Sequence, residues 1–336
     1  MNDGSACRGA FLITIDTEGD NIWSRPREVQ TENARLIPRF QHLCERFGLR
    51  PTYLVNYEMA MDDRFQEFAA DVIGRGVAEI GMHLHAWNSP PLRPLTPDDD
   101  TFQPYLIEYS EPVMREKIAF MTDLLHERLG VRPVSHRAGR WAFDDRYADM
   151  LAAHGYRVDC SVTPGATWRF TRGAPGGAGG SDYLDAPRTV HFIDSGLEGR
   201  SDGPRLLEVP MTVVPRSDQP PSRISRFLCR RLPRWGRLGG YVCPKADWLR
   251  PNGSNLASML TILDSEQVRA AGYAEFMLHS SELMPGGSPY FRDERSIETL
   301  YEHLEVLFAA VAQSFVGMTL GEFAASLVPS VRAAAP

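Results

Sequence analysis

Four short stretches of the chain carry groups able to hold a metal ion or move a proton. Asp16-Thr17-Glu18 sets two carboxylates at i and i+2. On an extended strand they face the same side, roughly 6.6 Å apart along the chain. One could bind a metal while the other acts as a base; alone, the pair reads as a turn-capping Asp and a solvated Glu. His83-Leu84-His85 puts two imidazoles on one face of a strand end. Neutral His is a common zinc ligand, and this spacing lets both rings reach one ion. A His pair by itself is otherwise a structural or surface feature. An acidic residue with two His leaves a coordination position for water, which catalytic zinc requires. His279 follows the apolar run Phe276-Met277-Leu278. It reads either as a general acid for a leaving amine or as a satisfied turn histidine. In His136-Arg137-Ala138-Gly139-Arg140-Trp141, Arg137 could hold a catalytic carboxylate ionised and oriented. A backbone N–H of the same loop could stabilise an oxyanion; a structural Arg pairing is the alternative.

These groups need elements that bring them together. Apolar, β-rich runs at 11–15, 52–55, 77–84, 134–136, 156–162, 206–213 and 275–279 predict strands. Helical spacing predicts helices over 31–47, 63–73, 111–129, 144–154 and 296–315. Pro38 argues for a kink or a late start in the first of these, and Ser110 is the expected N-cap of 111–129. Strands alternating with helices imply a parallel sheet, either barrel or doubly wound. Asp16 and Glu18, His83 and His85, Arg137, Asp159 and His279 all fall at the C-terminal ends of predicted strands. In a β/α barrel those ends share one face and carry the active site.

The 336 residues are 43% hydrophobic and 24% charged, enough to bury a large core as one barrel with insertions or as two domains. A net charge of −7 disfavours a nucleic-acid partner. Cys7, Cys44, Cys160, Cys229 and Cys243 show no CxxC spacing, so reduced thiols in a cytoplasmic protein are expected. The N-terminus has no positive n-region and no run approaches 18 apolar residues. Neither a signal peptide nor a membrane span is expected.

FLITIDTEGD, EIGMHLHAW, HRAGRW, GYRVDCSV and FMLHSSEL stand in the order of the motifs of the polysaccharide deacetylase family, also called NodB-homology or carbohydrate esterase family 4. The chain resembles the branch associated with bacterial surface-polysaccharide and lipopolysaccharide clusters, over roughly residues 10–285. The resemblance implies a distorted (β/α)7 barrel that removes N-acetyl groups from amino sugars with one divalent metal, usually zinc. It assigns Asp16 as the base that activates water and Arg137 as its orienting arginine. It assigns His279 as the general acid and Arg140 as the source of the oxyanion amide. Glu18 and His83 are the expected metal ligands. The family's second histidine position holds Trp87, which cannot ligate, so His85 is the nearest substitute and Asn88 a weaker one. Trp87, Trp141 and Asp159 are expected at the substrate.

Residues 8–330 are expected as one domain, with 163–253 inserted over the barrel mouth. That stretch holds GAPGGAGG at 173–180 and no acidic residue between Asp218 and Asp247. Arg223, Arg226, Arg230, Arg231, Arg234 and Arg237 alternate there with apolar residues. They form either a solvated loop or a docking surface over 223–238 for an anionic membrane face or a pyrophosphate-linked glycan. Without a leader, the expected substrate is a sugar on a nucleotide or lipid carrier inside the cell, met at most at the inner membrane face.

Overall fold

The computed structural model describes residues 8–26, 28–169, 179–193, 205–216, 222–231 and 245–327. Its central strand, β1 (Gly9–Thr17), is apolar on both faces and buried along nearly its whole length, as a strand covered on both sides must be. On one side it pairs with β10 (Tyr273–His279). On the other it pairs with β2 (Thr52–Val55), followed by β3 (Glu79–Leu84), β4 (Ser135–Ala138), β5 (Val158–Asp159) and β7 (Leu207–Glu208), all parallel. β6 (His191–Phe192) closes this edge antiparallel to β7. A further strand, β11 (Phe315–Met318), pairs with the first half of β1. The sheet curls into a half-barrel, with helices packed on its outside. Across the gap between β5 and β10 the backbone is laced rather than laddered. Met211 N–H donates to Val162 O at 2.9 Å, Leu249 N–H to Thr212 O at 3.1 Å, and Met277 N–H to Leu249 O at 3.2 Å.

The register decides what the mouth contains. Asp16 is paired with His279, His83 with Arg137, and His136 with Asp159. The outer helices hold these strands by an apolar interface. Asp62, Asp144 and Asp293 cap the helices Asp63–Gly74, Asp145–Ala153 and Glu294–Ser314 by accepting from the third N–H. Phe308 of the last helix is a hub. Its ring lies 6.2 Å from Phe11, 6.2 Å from Phe40, 6.4 Å from Phe47 and 5.8 Å from Phe276, mostly edge-on. Phe308→Ala should therefore cost about 3–5 kcal/mol, read as a lower urea midpoint at unchanged m-value.

Where elements differ from expectation, the cause is local. The helix expected over 31–47 starts late: a 3₁₀ turn precedes Ile37–Arg46, with Pro38 in its first turn, where the missing N–H does no harm. The strand expected over 156–162 shrinks to Val158–Asp159. Beyond it, Ser161 N–H is taken by Asp159 Oδ1 at 2.8 Å and Val162 N–H by Glu208 Oε1 at 2.9 Å, so side-chain carboxylates pull the backbone off the ladder. The strand expected over 206–213 is broken at Pro210, which has no donor. After the break the chain forms β8 (Val213–Pro215), paired antiparallel with β9 (Ala246–Trp248). Residues 163–253 thus return to the barrel wall at β7 and again at 211–213 and 249, rather than forming one excursion over the mouth.

Within that stretch, a helix runs over Arg223–Arg231. Two of its arginines are engaged at home: Arg226 reaches Asp185 at 2.5 Å, and Arg230 reaches Asp182 and Asp185 at 2.5 and 2.7 Å. Ile224 and Phe227 are exposed. Residues 232–238 of the expected docking surface lie outside the described residues. Cys44 and Cys160 are free and buried, but Cys229 is disulfide-bonded. This corrects the expectation of reduced thiols throughout, because disulfide formation depends on spatial proximity that spacing does not reveal. Among the described residues no helix is long and apolar enough to cross a membrane.

Candidate active site

β1 delivers Asp16 to the mouth and Glu18 one residue beyond its end; β3 does the same for His83 and His85. Glu18 Oε2 lies 3.0 Å from His85 Nε2 and 3.5 Å from His83 Nε2. His83 Nδ1 is 2.9 Å from the Arg137 carbonyl, which can only accept, so Nδ1 carries a proton and Nε2 is the nitrogen that faces Glu18. Gly139 makes room for the second imidazole. A Cβ there would stand 2.9 Å from His85 Nδ1 and 2.7 Å from the Leu84 carbonyl.

Glu18, His83 and His85 are all buried and offer three ligand atoms within 4.8 Å of one another. Two imidazoles and a carboxylate, with a fourth position open, are the donor set of catalytic zinc sites. The electrostatics fit a divalent cation. Burial, then neighbouring His83, presses His85 down to about 4, so it is neutral near pH 7 as a ligand must be. Burial alone would raise Glu18, but His279, His83 and His85 hold it well below the usual carboxylate range. His83 shifts the other way. Burial works against its charge, yet Asp16 and Glu18 outweigh it and raise its pKa. The carboxylates thus call for positive charge at this point, which a metal ion would supply in place of a proton.

Asp16 stands beside the cluster. Arg137 Nη1 donates to its Oδ1 at 2.7 Å. Its Oδ2 faces His83 Nε2 at 3.9 Å and His279 Nε2 at 3.6 Å. Burial opposes the Asp16 charge, but Arg137, with His83 and His279, brings the pKa below its ordinary value. Arg137 is fully buried and spends its other donors on Thr14 Oγ1 at 2.7 Å, the Cys160 carbonyl at 3.2 Å and Glu275. His279 lies on the other side, with Nε2 3.7 Å from Glu18 Oε1. Its Nδ1 has Arg250 Nη2 at 3.0 Å and Glu282 Oε2 at 3.4 Å, which leaves Nε2 as the nitrogen turned toward Asp16 and Glu18. Glu282 accepts from the His279 backbone N–H at 2.8 Å and pairs with Arg250 at 3.1 Å. Trp23 packs edge-on against the ring at 4.7 Å.

These groups open into a cleft of about 420 Å³, with Trp23, Tyr105, Trp141, Trp168 and Tyr290 along its walls. Two expected substrate contacts lie elsewhere. Asp159 is fully buried in the barrel, bound to His136 Nδ1 and Ser161, and has no path to the cleft. Trp87 packs 4.3 Å from the His85 ring, outside the cleft lining, and so braces a candidate ligand. Asn88 bonds Glu58 at 2.7 Å. Arg140 presents its guanidinium to the cleft, paired with Asp100 at 2.7 Å. Sequence reasoning missed Arg250, Glu275, Glu282 and Trp23. Only Glu282 had a local signal, as a capping-box residue three positions after His279.

No family model matches the chain, and no curated protein matches it. Solved structures do. A protein from Mycobacterium smegmatis assigned to the polysaccharide deacetylases is similar at 15% identity and a TM-score of 0.53, over 96% of this chain and 91% of that one. A 4-alpha-glucanotransferase from Thermococcus litoralis is similar at 12% identity and a TM-score of 0.52; this chain spans 41% of its length and is itself covered over 96%. The Xyl-CE4 domain of a multidomain xylanase from the hindgut metagenome of Trinervitermes trinervoides is similar at 8% identity and a TM-score of 0.44, over 95% of this chain and 91% of that one. The fold is thus a (β/α) barrel similar to that of the Mycobacterium smegmatis protein, with a Glu-His-His cluster at its mouth.

Proposed function

We propose that the chain is a metal-dependent hydrolase that removes an N-acetyl group from an amino sugar. One observation carries this: a Glu-His-His donor set, an ionised carboxylate and a further imidazole converge on one cleft. The fold alone does not choose, since TM-scores of 0.53 and 0.52 to a deacetylase and a glucanotransferase are equal in weight. A glycosidase needs two carboxylates flanking the scissile bond. Glu18 sits between two imidazoles instead, which a glycosidase would leave without a role.

Glu18, His83 and His85 would hold a divalent ion, which would supply Lewis acidity to an amide carbonyl and acidify a water near neutral pH. Asp16, kept ionised by Arg137, takes the proton from the attacking water through Oδ2. The Gly139–Trp141 turn, with Arg140 and Trp141 lining the cleft, is the segment whose backbone N–H groups would serve a developing oxyanion. An amine leaves poorly unless protonated, and His279 Nε2 points at the same place. The aromatic walls offer flat faces to a pyranose ring.

Purified protein should carry close to stoichiometric zinc or another transition metal and lose it in His83→Ala and in His85→Ala, read by elemental analysis. The loaded enzyme should release acetate from N-acetylated amino-sugar oligomers, stop on chelation and recover on adding metal back. A wild type that takes up no metal after reloading would sink this mechanism. Metal without acetate release from any acetylated sugar would leave a glycan-binding protein on the same fold.

A further inference from the structure

The cleft carries more positive charge than an N-acetyl amide requires. Arg25 and Arg140 both line it, and both converge on Asp100. Arg25 Nε is 3.3 Å from Asp100 Oδ2, and Arg140 Nη2 is 2.7 Å from Asp100 Oδ1. One carboxylate thus faces two guanidiniums that are each about three-quarters shielded from solvent, with side-chain exposures of 26% and 27%. A guanidinium has five donors. Among the described residues Arg140 gives one hydrogen bond, to Asp100, and Arg25 gives one, to Thr101, beside its ion pair. Each guanidinium therefore keeps donors that no described residue takes. Burial and the repulsion of Arg25 make the Arg140 charge harder to hold.

The backbone makes the same point independently. Among the described residues only four non-glycine positions have positive φ: Asn21, Arg25, Arg140 and Trp141. Three of them line this cleft and Asn21 adjoins its lining residue Ile22. Left-handed backbone is costly for side chains with a Cβ and persists where the surroundings enforce it. Here it aims Arg25 and Arg140 from two different loops at one point, while Trp87 supports the Arg140 plane from 4.9 Å. A latch between two loops could be built from one Arg and one Asp without strain. Paired guanidiniums, each with unused donors, are instead the recognition device for a carboxylate or phosphate.

We propose that the ligand of this cleft is an anionic sugar, whose carboxylate or phosphate is received by Arg25 and Arg140. This rests on the deacetylase reading for the rest of the sugar, but its test does not depend on turnover. The metal-loaded, full-length protein is titrated calorimetrically with N-acetylglucosamine, N-acetylglucosamine 1-phosphate and an N-acetylated aminouronic acid. At least one charged probe should bind about 10- to 100-fold more tightly than the neutral one, and which one does identifies the source of the anion. The preference should shrink with added salt. It should fall to about threefold or less in the Arg25→Gln, Arg140→Gln double variant. Equal affinity of the wild type for all three probes overturns the inference without recourse to any variant. A charged preference that survives intact in the double variant overturns it too, since the anion would then be held by the metal or by Arg250. Tight charged-probe binding without acetate release keeps the inference and removes the deacetylase; acetate release with no charge preference does the reverse.

Discussion

Asp16→Asn is expected to lower kcat by about 10²–10⁴-fold, with bound metal retained and KM little changed. Asp16 is not one of the three grouped ligands, so elemental analysis should still find the metal. What the amide loses is the ability to take a proton at Oδ2, 3.6 Å from His279 and 3.9 Å from His83. The hydrogen bond to Arg137 need not be lost, because an amide oxygen can replace Oδ1. That separation makes the variant informative. Unchanged kcat on an N-acetylated sugar would remove Asp16 as the base. Lost metal would instead make it a ligand.

Arg137→Met should cost about 3–5 kcal/mol of stability at neutral pH, because it leaves buried carboxylates without their cation. Asp16 and Glu275 both lean on this guanidinium, and both are buried. The dependence on pH follows from the two shifts. The Asp16 pKa is depressed in the fold, so in the wild type it adds stability above its unfolded pKa and loses it as pH falls through the folded one. The Glu275 pKa is raised to about 7 by burial, with Arg137 opposing; it costs stability as pH rises from its unfolded value through about 7. Removing Arg137 reverses the first and worsens the second. The gap between variant and wild type should be widest near about pH 8 and narrow toward about pH 5, in urea melts across that range. A gap that is constant with pH would mean that lost packing against Trp141, 4.8 Å away, explains the cost.

Much of this protein was legible in its sequence because β/α folds write themselves in two periods. Alternation of apolar strand runs with helical spacing is a local property, and so are Pro38 at a helix start and the Asp caps. The candidate ligands were legible for a related reason. A residue at the C-terminal end of a parallel strand lies on one face of the barrel whatever the remaining details are. Asp16, Glu18, His83, His85, Arg137 and His279 meet for that reason, although up to 263 positions separate them. Asp159 shows the limit of the rule. It also ends a strand, but its side chain turns into the barrel toward His136 and Ser161, and a two-residue strand carries too little pattern to show which face it takes.

Periodicity and strand direction were enough to read the alternation of strands and helices, the parallel sheet, and the strand-end groups Asp16, Glu18, His83, His85 and His279 of the mouth. Only the tertiary structure decided that His85 stands within 3.0 Å of Glu18 while Trp87 braces it, and that Glu275 shares Arg137 with Asp16. The same holds for Arg250 at His279 and for the pair of arginines on Asp100. Those contacts follow from register between strands and from the aim of loops in left-handed backbone. Both are set by packing among segments far apart in the chain, where no local spacing reports them.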